Sequence, residues 1–423
     1  MQQNTEITAA VIALKFKMLN WANQFNIFCL LDNNGYQHQT SAFECLLAVG
    51  VKRSFEFKAA HRFDALQQFY NAGPGWLFGH LGYNAAGNAY STNNVLNTSF
   101  GDGFLFEPVS VIRLDDKAQI TVLQSIEPSE KIIAEILQTP VFNDTTATSF
   151  TLTHQLSKQA YIQKIEQIKA HIQRGDCYEA NFCMEFLGNV TSFNAITAYQ
   201  KLTAISAAPF GAFYKLNQQY CLCASPERFL KKQGSLLQSQ PIKGTAKRSS
   251  NFDEDHQNKT TLRNSKKEQS ENVMVVDLVR NDMSQVSTKA SVKVTELFGI
   301  YSFPQVHQMI STIECTLQNP SHFAKALAVC YPMGSMTGAP KKRVMEIIEN
   351  TELTQRGLFS GALGYITPDG DFDFNVVIRS LFYNEAMQQV SFFAGSGITY
   401  YCDAAAEYDE CMAKAAALLQ VLQ

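Results

Sequence analysis

The sequence of 423 residues is poor in charge: only 17% of it is charged, and 35 lysines and arginines against 38 acidic residues leave a formal charge of -3. That balance excludes the basic surfaces that hold nucleic acid or an anionic membrane. Ten cysteines occur without a CxxC pair, the one close couple being Cys221 and Cys223 in YCLCASPE. This excludes a disulfide framework and a zinc site, and the expectation is reduced thiols in a cytoplasmic protein. The apolar stretch ITAAVIAL runs straight into Lys15 and Lys17 with no small-residue cleavage site, so neither a signal peptide nor a membrane span is expected. Internal repeats and a regular strand-helix-strand period are also missing, which argues against solenoids and doubly wound sheets.

Hydrophobic residues make up 46% of the chain, enough for the core of one large or two ordinary domains. Residues 24–135 read as short strands separated by turns, as in FNIFCLLDNNGY and GWLFGHLGYNAAGN. The Thr-, Ser- and Asn-rich segment 139–157 lacks a helical period and reads as a linker, placing a boundary between an N-terminal region, 1–148, and a second region, 149–423. The spacing of Tyr161, Ile165, Ile168 and Ile172 before Gly175 predicts an amphipathic helix. YEANFCMEF then alternates as a strand, with Tyr178, Ala180, Phe182, Met184 and Phe186 toward a core and Glu179, Asn181, Cys183 and Glu185 on a polar face. Further helices are predicted at about 267–285, 339–351 and 404–422. The fold class is α+β with antiparallel sheets.

Two of these helices carry paired acids. Glu268 and Glu271 lie three apart, as do Glu407 and Glu410, so each pair projects from one helix face, with Lys414 a turn beyond Glu410. Either pair alone reads as a solvated face. If the pairs face one another, they form an all-oxygen site suited to a hard, octahedral cation such as magnesium, whereas zinc would require histidine or cysteine. In QPIKGTAKR, Lys243 precedes Gly244, whose missing side chain permits close backbone approach to a ligand, so this lysine is a candidate to hold an anion, polarise a substrate or attack it. YPMGSMTGAPKKRVMEIIE leads a loop into a helix near Pro340, where free amides attract an anion; it lacks the Walker spacing, and a carboxylate suits it better than a nucleotide phosphate.

SPERF (225–229), PIKGT (241–245), SENVMVVDLVRND (270–282), GSMTGAPKKR (334–343), SGALGY (360–365), VIRS (377–380), and AGSGI followed by AEYDE and Lys414 resemble the motifs of the chorismate-utilising enzymes, in the same order. That family includes anthranilate synthase component I, isochorismate synthase and aminodeoxychorismate synthase component I. The likeness spans most of residues 157–420 and is weaker before residue 150. It implies a two-lobed antiparallel β-sandwich with helices outside, as in anthranilate synthase component I, shared by the N-terminal and chorismate-binding regions. By matching positions, Glu271 and Glu410 would ligate magnesium and Glu268 and Glu407 would hold its waters. Thr245, Ser335, Arg379, Lys414 and the backbone of Gly395 and Gly397 would place the substrate carboxylates and ring, and Glu227 would protonate the departing 4-hydroxyl.

Lysine in PIKGT resembles the aminodeoxychorismate-forming branch, in which it is the nucleophile; anthranilate synthases carry PIAGT. The resemblance therefore implies conversion of chorismate and ammonia to 4-amino-4-deoxychorismate in folate biosynthesis, with anthranilate synthase component I and a non-catalytic chorismate-binding homologue as alternatives. Lys243 would need to be partly neutral, its pKa lowered by the metal and Lys414. Three positions depart from the family's pattern. Gln308 stands in place of a histidine, with His307 on the opposite strand face; Phe359 replaces a tyrosine or tryptophan; and Glu179 replaces a lysine or glutamine. A carboxylate at 179 would hold ammonium or accept its proton. No nucleophile-elbow cysteine with its histidine is recognisable, so ammonia is expected from solution or from a separate glutamine amidotransferase subunit.

Overall fold

Ser157 accepts a hydrogen bond from the Ala160 amide at 3.3 Å and starts the helix Lys158–Gln173, which buries Tyr161, Ile165 and Ile168 at the predicted spacing. The other three predicted helices are present as Lys266–Ser284, Lys341–Thr351 and Ala404–Val421. The structure is a computed structural model that describes residues 2–36, 43–58, 62–87, 100–141, 149–154, 156–303 and 306–423. The boundary expected at residue 148, with the middle of the linker, lies outside the described residues.

Among the described residues the strands form two antiparallel sheets of 11 and 10 strands. The first runs in the order Gly338–Ala339, Glu179–Thr191, Gln389–Thr399, Ser380–Asn384, Gln219–Ser225, Phe210–Leu216, Ile27–Asp32, Cys45–Val49, Ser110–Leu114 and Ile120–Gln124, with Ser149–His154 also paired to Glu179–Thr191. The second runs Ile242–Lys247, Val306–Thr316, Leu236–Gln240, Arg228–Gln233, Phe372–Asn375, Ala362–Ile366, Leu77–Leu81, Gly103–Glu107 and Arg53–Glu56, with Lys293–Ser302 also paired to Val306–Thr316. Strands from before residue 125 thus continue both sheets rather than forming sheets of their own.

The period-2 alternation of the strands sorts side chains into two cores. Cys29, Leu31, Cys183 and Phe393 join Phe78, Leu105 and Phe374 of the second sheet in an inter-sheet core. Their neighbours Phe28, Leu30, Phe182, Met184 and Phe392 face the other way and pack on helices through Met18, Ile136, Ile165, Ile348 and Leu418.

Several details differ from the sequence expectations. The N-terminal region carries helices Gln2–Ala22, Arg62–Asn71 and Ser129–Gln138 besides its strands, and a further helix, Phe252–Asn264, precedes Lys266–Ser284. In the alternating strand, Tyr178 is exposed rather than turned toward a core, because the strand begins one residue later. Glu179 and Glu185 on its polar face are buried, since that face looks onto the second sheet rather than onto water. Lys15 lies buried between Asp32 at 2.6 Å and Glu44 at 2.5 Å, tying the first helix to the strand Ile27–Asp32 and to the residue just before Cys45–Val49. All ten cysteines are free and buried. No helix among the described residues is long and apolar enough to cross a membrane.

Candidate active site

Lys243 lies on the second sheet and Glu179 on the first, and their side chains form an ion pair across the gap between the sheets. The pairing of Ile242–Lys247 with its neighbour shifts register between Ile242 and Thr245, so Lys243 and Gly244 sit at an irregularity rather than in a regular ladder. Gly244 has φ +96°, and a Cβ there would lie 2.9 Å from Glu268 Oε2, so its bareness admits a glutamate of the neighbouring helix. Gly397, opposite Asn181 on the first sheet, backs the ion pair: a Cβ on it would lie 2.7 Å from Glu179 Oε1 and 2.9 Å from Lys243 Nζ.

Burial pulls the Lys243 ammonium toward neutrality, but Glu179, with Glu271 and Glu227 behind it, outweighs burial and holds the pKa above the ordinary lysine value. The acid that holds the ammonium comes from the other sheet, a partner that the sequence did not announce. Lys414 lies instead against the acids, 2.7 Å from Glu410 Oε1 and 2.9 Å from the Gly395 carbonyl oxygen.

Glu227 is buried behind SPERF. Burial pushes its carboxyl up to about 7, opposed by the nearby Ser335 hydroxyl, which has no hydrogen-bond partner among the described residues, and by the Lys243 charge, the Ile242 amide and the Arg379 charge. A carboxyl poised there can hold a proton and release it near neutral pH. Arg379 has φ +51°, and burial pulls its pKa down against Glu227 and Tyr36. Ser335 reaches the site from the short helical turn Gly334–Met336, which Asn181 fastens through its side-chain amide to the Ser335 carbonyl at 3.0 Å. Pro340 is the N-cap of the following helix.

The two acid pairs meet. Ser265 caps the helix Lys266–Ser284 by accepting from the Glu268 amide, and Asp403 caps Ala404–Val421 by accepting from Ala406, so Glu268 and Glu407 both lie in first turns, where the helix dipole favours negative charge. Lys267 Nζ lies 3.9 Å from Glu271 of its own helix and 3.9 Å from Glu407 of the other. Burial pushes Glu271 up to about 7 and raises Glu268 and Glu407. Glu410 goes the other way, because Lys414, Lys267 and Lys243 overcome its burial. These donors are hard oxygens around a point that now attracts an ammonium, which fits a hard divalent cation. Among the described residues no three acidic, histidine or cysteine side chains already converge as a cage, so water and substrate would have to complete the shell.

Thr245 is exposed and lies opposite Gln308 on the neighbouring strand, and among the described residues no hydrogen bond draws its hydroxyl toward Glu227. A Cβ on Gly395 would clash with the Phe182 carbonyl and with the Cys183 backbone, so this glycine serves strand packing, while its carbonyl receives Lys414. Gln308 is buried; His307 is bound to Ser302 at 2.8 Å and Asp255 at 3.1 Å. Phe359 stacks on Phe393 at 4.8 Å.

Sequence reasoning missed Lys267 as a bridge between the acid helices, although its i,i+4 relation to Glu271 was legible. It also missed the buried pair of Arg356 and Glu352. Arg356 donates to the Met336 and Asn181 carbonyls, and Glu352 accepts from the Cys183 amide at 2.8 Å, locking the serine-bearing turn to the strand of Glu179. No local pattern announces such a contact.

Paired sheets with a lysine and a buried glutamate between them, and two helices whose acids meet beside that site, define a class, and the profile of the chorismate binding enzyme family matches residues 28–420. The chain belongs to that family. It is 37% identical over 281 residues to aminodeoxychorismate synthase component 1 of Klebsiella aerogenes, covering 66% of this chain and 62% of that one. The Escherichia coli protein of the same name is 37% identical over 278 residues, covering 65% and 61%. The chain thus spans less than two thirds of the length of these relatives. An anthranilate synthase component I-like protein of Synechocystis is 33% identical over 360 residues, covering 82% of this chain and 73% of that one. In fold, anthranilate synthase component I of Streptococcus pneumoniae matches with a TM-score of 0.77 at 24% identity, covering 88% and 91%. The menaquinone-specific isochorismate synthase of Escherichia coli matches at 0.76 and 19%, covering 96% and 91%.

Proposed function

We propose that this chain converts chorismate and ammonia to 4-amino-4-deoxychorismate, as component I of an aminodeoxychorismate synthase whose ammonia comes from a separate glutamine amidotransferase subunit. The observation that carries the reading is Lys243, set between the sheets beside a proton-holding Glu227. Attack at C2 of chorismate shifts both conjugated ring double bonds and expels the C4 hydroxyl, so ammonia acting alone would leave nitrogen at C2. With Lys243 at C2 first, ammonia attacks C4 with a second shift and expels the lysine, placing nitrogen at C4.

Glu227 donates its proton to the departing hydroxyl, which leaves as water. Arg379, whose charge acts on Glu227, and Ser335, whose buried hydroxyl has no hydrogen-bond partner among the described residues, orient a substrate carboxylate in this reading, and Phe359 on Phe393 walls the ring. Glu271 and Glu410 would hold a magnesium ion and Glu268 and Glu407 its waters, and the ion when bound supplies positive charge that neutralises the ring carboxylate.

The test supplies the purified chain with chorismate, magnesium and ammonium salts and identifies the product. The 4-amino compound is expected; a 2-amino product would make the chain an anthranilate-type enzyme. Without ammonia, a covalent adduct with the mass of chorismate less one water is expected on the peptide containing QPIKGTAK, and Lys243→Ala should lose it.

A further inference from the structure

Lysine as an ammonium has no lone pair with which to attack, so a nucleophilic Lys243 needs a group that takes its proton. Among the described residues, the carboxylate hydrogen-bonded to Lys243 Nζ is that of Glu179. Both side chains are shut away from water, at 11% and 3% exposure. Glu179 is held on both sides, pairing with Thr399 on one neighbouring strand and with Ala339 on the other. A Cβ on Gly397 would crowd both side chains of the pair. The other charges that face Lys243 are also acids: Glu271, Glu227, Glu268 and Glu410. Glu227 must carry its own proton when the hydroxyl leaves, and the remaining three belong to the proposed cation site.

We propose that Glu179 is the base that takes a proton from the Lys243 ammonium to release it for attack, and that returns the proton when the lysine is expelled. This rests on the reading of Lys243 as nucleophile. Proton transfer within the pair turns ammonium and carboxylate into amine and carboxylic acid, removing two charges from a site where neither is well solvated, so it is far less unfavourable there than in water. The amine then forms the bond to C2, both conjugated ring double bonds shift, and the C4–O bond breaks as Glu227 protonates the oxygen. When ammonia bonds to C4, the C2–N bond breaks, its electron pair returns to the lysine nitrogen, and the proton on Glu179 restores the ammonium. Glu227 regains its proton from solvent.

Glu179→Gln keeps an oxygen acceptor but cannot take the proton. In the absence of metal and chorismate, the pH profile of Lys243 carbamylation by cyanate, read by peptide mass spectrometry, should move to lower pH in this variant because the anionic partner is gone. With chorismate and magnesium but no ammonia, adduct formation at neutral pH should slow by about a hundredfold and recover as pH rises, with chorismate binding unchanged. Glu179→Asp should keep the wild-type shape of the pH profile at a reduced rate. Coincident carbamylation profiles would overturn the ion pair and the proposal, and adduct formation as fast as wild type in Glu179→Gln would overturn the proposal alone. A wild-type chain that forms no adduct would overturn the nucleophile reading and, with it, the role given to Glu179.

Discussion

At the scale of single residues, burial sets what the acids can do. Glu227 is 4% exposed, and its carboxyl is pushed up to about 7. A carboxyl raised in the folded state contributes stability that is fully present below its unfolded value and is lost as pH rises through about 7. Glu227→Gln should therefore abolish turnover while making the protein more stable than wild type above neutral pH, by up to about 3 kcal/mol, with the advantage vanishing in acid. Urea melts on both sides of neutrality check this. An equal difference at acid and alkaline pH would mean that Glu227 is not held protonated by its surroundings. The motif SPERF made Glu227 a candidate, but its burial was not legible, because it depends on Ser335, Ile242 and Arg379, which arrive from three other segments.

At the scale of elements, the strand Gln389–Thr399 uses its two glycines for different purposes. Gly395 makes room for the neighbouring strand's backbone, which cannot move aside, whereas Gly397 makes room for the ends of two side chains. Gly395→Ala should lower stability by at least about 2 kcal/mol through overpacking. Gly397→Ala should melt close to wild type yet form the Lys243 adduct at least tenfold more slowly, roughly 1.4 kcal/mol in the barrier. Thermal melts and adduct rates separate the two, and a Gly397→Ala chain with normal adduct formation would place the reacting lysine elsewhere. The helices Lys266–Ser284 and Ala404–Val421 were legible because a 3.6-residue period and a capping residue are local signals. Their mutual approach, marked by Lys267 between Glu271 and Glu407, was legible only as a condition.

At the scale of the whole molecule, strands from before residue 125 lie at one end of each sheet, joined through the pair Ile27–Asp32 with Phe210–Leu216 and the pair Leu77–Leu81 with Ala362–Ile366. Removing them would open two edges at once and bare the inter-sheet core, including Cys223 and Phe374. A chain of residues 149–423 alone should therefore aggregate, and co-expression with residues 1–148 should restore a soluble particle, as followed by size-exclusion chromatography. A monomeric, cooperatively melting 149–423 chain would show that the catalytic region has a core of its own.

The sequence by itself determined the α+β class, the helices and their acid pairs, and the ordered motifs of a chorismate binding enzyme, since periodicity, caps and motif spacing are properties of neighbouring residues. Only the tertiary structure decided that Glu179 meets Lys243, that the polar face of its strand is buried, and that the early strands complete both sheets. Each of these depends on which strands become neighbours and which sheet faces which. A period-2 pattern states that a strand has two faces, and it leaves open what stands opposite them.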